Sequence, residues 1–400
     1  MTQAPLVDEI GDWLLGRALE DPDPLTLFDE LCTRLRSIGV PVERTVLTWL
    51  ILHPLFASEE VVWKQGEETK LTQYDHSVVG SPRWMESPFA HVHLKGMIPF
   101  RRRLTGPDQL LDFPVLHDLA AEGMTDYVIT AAVFRVGEVA GALGGKTGMI
   151  ASWATSRPNG FTPSDLAALE RLRRPLAVAV HASLQRRILG NLATAYLGPT
   201  AGHGVLAGDI RLGDGAVIPA VLWFSDLRGS TRLSDQMAAG DYLALLNLYY
   251  ACTAEPVIEA GGEILTFIGD GVLAGFRIGA EGPAGAVARA ESALNDALTR
   301  HKAALRDGTP GDAPLHFGVG LALGDVMMGN IGVPTRLAFT GIGTAVNRAQ
   351  RIEAATKRLG HAVLAEQAVV DAASRRWTSA GTIPLDGLEA PAALYRLAEL

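Results

Sequence analysis

The segment ILTFIGDGVLAGF, residues 264–276, constrains this chain more than any other. Two apolar, β-rich runs flank Asp270-Gly271, a dipeptide that tolerates the positive φ angles of a tight hairpin turn, so Asp270 is expected at a hairpin tip. Upstream lie an apolar strand, Val217 to Phe224, and a long helix, Ser234 to Glu259. Downstream come a helix, Glu281 to Arg306, and strand material from Leu315 onward. A strand, helix, strand, strand, helix, strand order is the split βαβ arrangement, in which the hairpin tip lies beside the end of the first strand. That end carries Asp226. Two carboxylates far apart in the sequence therefore converge at one sheet edge.

Converging carboxylates invite a hard divalent cation, which takes oxygen ligands and is held by one or two carboxylates plus substrate phosphates. Directly after Asp226 come Leu227, Arg228, Gly229, Ser230 and Thr231, ahead of a helix whose free N–H groups favour an anion. A third segment, GIGTAVNRAQRIEAATKRLG, reads as a helix. Val346, Ala349, Ile352 and Ala355 face a core, while Asn347 and Arg351, four apart, stack on one exposed face. An arginine beside an amide suits a phosphoryl transition state, supplying delocalised charge for the oxygens and a polar group to orient a sugar.

The N-terminal half reads differently. Two amphipathic helices between Asp8 and Leu35 are parted by Asp21-Pro22-Asp23-Pro24, and strands are expected at Arg44 to Trp63, Tyr127 to Phe134 and Val139 to Leu143, the last two around Val136-Gly137-Glu138. GFTPSDLAALERL starts a helix with Ser164 as its N-cap. This α/β pattern, closing on a helix that begins TPSD, resembles a GAF-type sensor domain, which implies a small-molecule ligand. Leu169, Leu172, Leu176, Val180, Leu184, Ile188 and Leu192 then mark one face of a helix that either pairs with a second copy or packs on its own domain's sheet. GPTAGHGVLAGDIRLGDGAV reads as a glycine-rich bridge. The expected organisation is α+β throughout: a sensor at 1–183, a connecting helix and linker at 184–216, and a ferredoxin-like domain at 217–400.

Composition narrows the function classes. With 35 Lys+Arg against 44 Asp+Glu, a net charge of −9 leaves no diffuse positive field for a nucleic-acid polymer. Cys32 and Cys252 lack CxxC partners, so no disulfide framework or cysteine zinc site is indicated, and a reducing cytoplasm fits. The longest apolar run, Val46 to Phe56, contains His53 and is too short to span a bilayer, so no membrane partner is expected.

FSDLRGST, GGEILTFIGDGVLAGF and HFGVGLALGDVMMGNIG with AFTGIGTAVNRAQRIEAAT together resemble the catalytic domain of class III nucleotidyl cyclases, the adenylate and guanylate cyclases. The resemblance implies that Asp226 and Asp270 bind two Mg²⁺ (or Mn²⁺) ions, with the Leu227 carbonyl as a further ligand. It also implies that Asn347 contacts the ribose, that Arg351 stabilises the α-phosphate, and that a homodimer shares its active sites between subunits. The reaction implied is attack of a nucleoside triphosphate's 3′-hydroxyl on its own α-phosphorus, releasing pyrophosphate. Base recognition maps onto Thr266 and Thr344, where adenylate-forming members usually carry Lys and Asp, and guanylate-forming ones Glu and Cys. A threonine hydroxyl donates or accepts, so guanine or pyrimidine bases stay open, while the resemblance favours ATP because some class III enzymes carry Thr at the second position. Ser230 replaces an aromatic residue common after the first glycine. A catalytically weak nucleotide-binding or dimerisation module is the competing reading, against which stands the retention of Asp226, Asp270, Asn347 and Arg351 together.

Three other patterns carry less. Gly145-Lys146-Thr147 lacks the first glycine of a P-loop, and Gly261-Gly262-Glu263 is followed by Ile264 rather than the remainder of a diguanylate cyclase signature. Arg101-Arg102-Arg103 with Lys95, His91 and His93 reads as a solvated face rather than an anion or metal site.

Overall fold

The computed structural model describes residues 3–20, 23–96, 99–134, 147–385 and 390–398. The chain divides into two compact units, Met1–Leu192 and Ala193–Leu400. Among the described residues no helix is long and apolar enough to cross a membrane.

The first unit is built on strands β1 (Arg44–Leu50), β2 (Phe56–Lys64), β3 (Lys70–Asp75), β4 (Phe100–Arg103), β5 (Asp126–Phe134) and β6 (Thr147–Thr155). They form one antiparallel sheet in the order β3-β2-β1-β6-β5-β4. Helices α1 (Gln3–Ala18) and α2 (Pro24–Ser37) pack on one face, and α3 (Pro82–Met85), α4 (Pro88–Lys95) and α5 (Pro114–Ala121) precede β5. The strand expected from Arg44 to Trp63 is two strands, broken around Pro54, which has no N–H to give a ladder. Three strands, β3, β4 and β6, went unread. The strand expected at Val139 to Leu143, its turn, and Gly145 and Lys146 lie outside the described residues; Thr147 begins β6 and donates to Phe134 O.

Helix α6 spans Pro163–Leu197. Its cap is Thr162 rather than Ser164, because Thr162 Oγ1 accepts from Asp165 N while the Asp165 carboxylate accepts from Thr162 N. The face from Leu169 to Ile188 is buried in the first unit's own core, with Leu192 packed against it, so that stripe is spent on its own sheet. Arg101 and Arg103 clamp the fully buried Asp126, and Arg102 pairs with Asp112. These three arginines are thus structural partners, neither a solvated face nor an anion site.

The second unit opens on helix α7 (Pro199–Ala207), which lies inside the expected glycine-rich bridge. Then follow β7 (Gly215–Leu227), α8 (Ser230–Gln236), α9 (Ala239–Glu259), β8 (Glu263–Ile268), β9 (Gly271–Arg277), α10 (Gly282–Asp307), β10 (Phe317–Val333), β11 (Arg336–Ile342) and α11 (Thr344–Leu359). Four short elements close the chain: β12 (Val363–Glu366), α12 (Gln367–Asp371), β13 (Trp377–Ile383) and β14 (Ala392–Leu397). The strand order β8-β9-β7-β10, antiparallel throughout, is the expected split βαβ arrangement, extended by β12, β14 and β13 beyond β10. The helix expected from Ser234 to Glu259 is two helices, because Met237 and Ala238 are extended and Met237 turns into the core beside Leu233.

Alternation along β7 assigns its two faces. Val221 and Trp223 enter the core under α9 and α10, whereas Ala220, Leu222 and Phe224 enter the core under α11. Asp226 shares the α11 face by the same period. Helix α11 approaches β10 closely because Gly320 lacks a side chain: a Cβ there would collide with the backbone at Ala349 O and Glu353 N. Gly320→Ala is therefore expected to destabilise the second unit by about 2 kcal/mol or more, since backbone cannot yield as a flexible side chain does. Denaturant unfolding of the variant checks this, and an unchanged midpoint would contradict the close packing.

Candidate active site

Strand register brings the two aspartates together. Asp226 pairs with Gly318 of β10 on one side and lies beside Gly271 of β9 on the other, where a Cβ would sit 3.6 Å from its Oδ1. Ile268 pairs with Gly271, so the hairpin loop is Gly269-Asp270, one residue earlier than the sequence reading placed it. Gly269 takes the positive φ of 62° and Asp270 does not. A positive φ at the first central residue alone is the type II′ pattern.

The electrostatics of the pair are strained. Burial first, then the neighbouring Asp270 carboxyl, pushes Asp226 up to about 6, partly opposed by Lys357 and the Leu227 backbone. Asp270 Oδ2 is buried without a hydrogen-bond partner. An orphaned carboxylate oxygen beside a second carboxylate fits a divalent cation, which would satisfy the lone pairs and remove the like-charge repulsion. Among the described residues no group of three or more His, Cys, Asp or Glu is gathered as a cage. Remaining ligands would come from backbone, water or substrate oxygens, as suits Mg²⁺. Glu353, buried beneath the same face, is pushed up to about 7 by burial and then by Asp226.

The loop after Asp226 is only partly as expected. Gly229 adopts the left-handed conformation and opens α8 at Ser230 and Thr231, leaving the first turn exposed or half-buried. Arg228 does not face this loop. Its backbone N–H donates to His316 O, and its Nη2 donates to Thr356 Oγ1 and His361 O at 3.3 and 2.7 Å. Arg228 is therefore a strap from the end of β7 to the end of α11, and its side chain is not available as a phosphate ligand.

Asn347 is exposed and Arg351 half-buried on the outer side of α11, while Ala349, Ile352 and Ala355 are buried. Among the described residues Arg351 has no polar partner, and no hydrogen bond or ion pair joins Asn347 or Arg351 to the aspartates. Thr344 is the first residue of α11 and exposed; Thr266 lies on β8, one residue past an irregularity at Leu265. The structure does not join these two threonines. It is β11 that lies against β8: a Cβ at Gly341 would be 3.1 Å from Leu265 Cδ1. Elsewhere Glu263 accepts from Thr200 N and Oγ1, accounting for the Gly261-Gly262-Glu263 segment without chemistry.

Residues 218–396 match the sequence model of the adenylate and guanylate cyclase catalytic domain. The chain is 33% identical over 164 residues to an adenylate cyclase of Anabaena cylindrica, a stretch covering 40% of this chain and 32% of that protein. The crystal structure of the adenylyl cyclase CyaB from P. aeruginosa is 26% identical, covers 47% of this chain and 97% of its own, and superposes with a TM-score of 0.40. The guanylyl cyclase Cya2 is 28% identical over 46% of this chain and 94% of its own, with a TM-score of 0.37. The matched stretch spans about a third of the length of the curated relatives. A class III nucleotidyl cyclase catalytic domain is thus supported in the second unit, and the family's description covers both adenine and guanine enzymes.

The raised Asp226 value has a signed consequence. Between the ordinary carboxyl value of 3.8 and about 6 the folded protein without metal holds more protons than the unfolded chain, so its stability falls as pH rises through that window. A divalent cation reverses the penalty only where Asp226 is ionised. The rise in thermal midpoint on adding Mn²⁺ is therefore expected to be larger at about pH 7.5 than at about pH 5. Equal rises, or a larger one at low pH, would contradict the assignment.

Proposed function

We propose that residues 217–400 form a class III nucleotidyl cyclase domain that converts a nucleoside triphosphate, ATP favoured, into a 3′,5′-cyclic nucleotide and pyrophosphate. The observation that carries this reading is the Asp226–Asp270 pair with its orphaned oxygen, in a chain that also presents Asn347 and Arg351 on one helix face. Asp226, Asp270 and the Leu227 carbonyl would hold two Mg²⁺ or Mn²⁺ ions. When bound, these ions lower the pKa of the attacking hydroxyl and neutralise charge on the phosphates. The backbone at Gly229, Ser230 and Thr231 receives the phosphates at the opening of α8. Arg351, without a polar partner among the described residues, meets the charge that develops on the α-phosphate, while Asn347, one turn away, orients the ribose.

Among the described residues no hydrogen bond or ion pair joins the aspartates to the α11 pair, which supports a working site completed by a second copy. Exposed Phe267 and Ile268 at the hairpin and Ile342 at the end of β11 supply apolar surface for that contact. The base is read by Thr266 and Thr344, uncharged groups that discriminate weakly, and the adenylate cyclase relative favours ATP. The N-terminal half, residues 1–183, serves as a GAF-like sensor of a small ligand, coupled through residues 184–216.

Incubation of the purified chain with ATP, GTP, CTP or UTP and Mg²⁺ or Mn²⁺, with products read by mass spectrometry, tests the activity. A cyclic nucleotide is expected, lost by about 100-fold or more in Asp270→Ala and in Arg351→Ala, and partly restored when the two variants are mixed. No cyclic product from any nucleotide would leave a binding or dimerisation module as the reading. Thr266→Lys is expected to raise the preference for ATP over GTP about tenfold, because adenine N1 accepts a hydrogen bond and guanine N1–H donates one. An unchanged ratio would remove Thr266 from base recognition.

A further inference from the structure

Two consecutive residues of α9 each reach the residue that precedes a metal-site aspartate. Tyr249 Oη donates to Ser225 Oγ at 3.0 Å, and Ser225 precedes Asp226. Tyr250 Oη donates to Gly269 O at 2.8 Å, and Gly269 precedes Asp270. The two rings touch, with centroids 5.3 Å apart. Each ring also leans on the backbone it serves. Tyr250 packs against Phe267 of the hairpin at 4.8 Å, and Tyr249 against Phe317 at 6.0 Å, the residue paired with Leu227 across β10.

The Tyr250 contact falls on the one peptide that decides where Asp270 points. In a two-residue hairpin loop the peptide between the central residues can flip, exchanging type II′ for type I′ and carrying the second residue to positive φ. Here that peptide is Gly269–Asp270, its carbonyl is Gly269 O, and the first residue is a glycine with no side chain to resist rotation. Aspartate tolerates the left-handed conformation, so nothing within the loop itself forbids the flip. The hydroxyl of Tyr250 holds the carbonyl in the II′ orientation. Tyr249, wholly buried, fixes the other end of the measure by gripping the Ser225 side chain under the α9 face.

We propose that Tyr249 and Tyr250 are positioning residues that together set the spacing and aim of the Asp226 and Asp270 carboxylates, and so the affinity of the site for a divalent cation. The inference rests on the metal-site reading above. It requires no contact between either tyrosine and the ion.

Binding of Mn²⁺ alone to the full chain, followed by the electron paramagnetic resonance of the free ion, tests both levels. Wild-type binding is expected to vanish in Asp270→Ala. Tyr250→Phe keeps the ring contacts and loses one hydrogen bond, and is expected to weaken Mn²⁺ binding about fivefold while the metal-free thermal midpoint stays within about 2 °C. Tyr249→Phe leaves the buried Ser225 hydroxyl unpaired, so it is expected to lower both the affinity and the metal-free midpoint. Unchanged Mn²⁺ affinity in Tyr250→Phe, with wild-type binding abolished by Asp270→Ala, overturns the positioning role alone. No Mn²⁺ binding by the wild type, or equal binding by Asp270→Ala, overturns the metal site and the positioning role together.

Discussion

Two like charges held side by side at the end of a central strand make the demand around which the second unit is arranged. Burial and the neighbouring Asp270 carboxyl both oppose ionisation of Asp226, and the pair would separate if the backbone allowed it. The backbone does not allow it. Asp226 is locked into β7 by β10 and β9, and Asp270 is the second residue of a two-residue loop whose strands are paired to its base. Glycine on both sides of Asp226, at 318 and 271, leaves its carboxylate uncrowded by neighbouring side chains on those strands.

The same economy governs α11. Gly320 lets the helix come down onto β10, Arg228 straps its C-terminal end to β7, and the buried side of the helix fixes which residues face outward. Asn347 and Arg351 are left on the outer side, Arg351 without a polar partner among the described residues. One chain thus carries an acidic pair at the sheet edge and an amide–arginine pair on the helix packed against it, the two groups that the proposed site would bring together.

Much of this was legible because it depends on short-range pattern. The hairpin, the strand ending in Asp226 and the helical spacing of Asn347 and Arg351 all follow from runs of a few residues. What was not legible depends on register or on distant partners. The loop was placed one residue late because both Asp270-Gly271 and Gly269-Asp270 satisfy turn chemistry, and only the Ile268–Gly271 pairing decides between them. Arg228 read as an anion ligand because its true partners, Thr356 and His361, lie on another element. Arg101, Arg102 and Arg103 read as a surface run because the carboxylates they serve, at 126 and 112, are invisible to local composition. The two tyrosines emit no sequence signal of their own; their hydroxyls reach Ser225 and Gly269 on other elements.

The central claim is that Asp226 and Asp270 hold divalent cation between them. Anomalous diffraction from crystals of the full chain soaked in Mn²⁺ tests it directly. The account requires a peak at about 2.1 Å from an oxygen of each carboxylate. A peak elsewhere, with these two carboxylates free of metal, would contradict it.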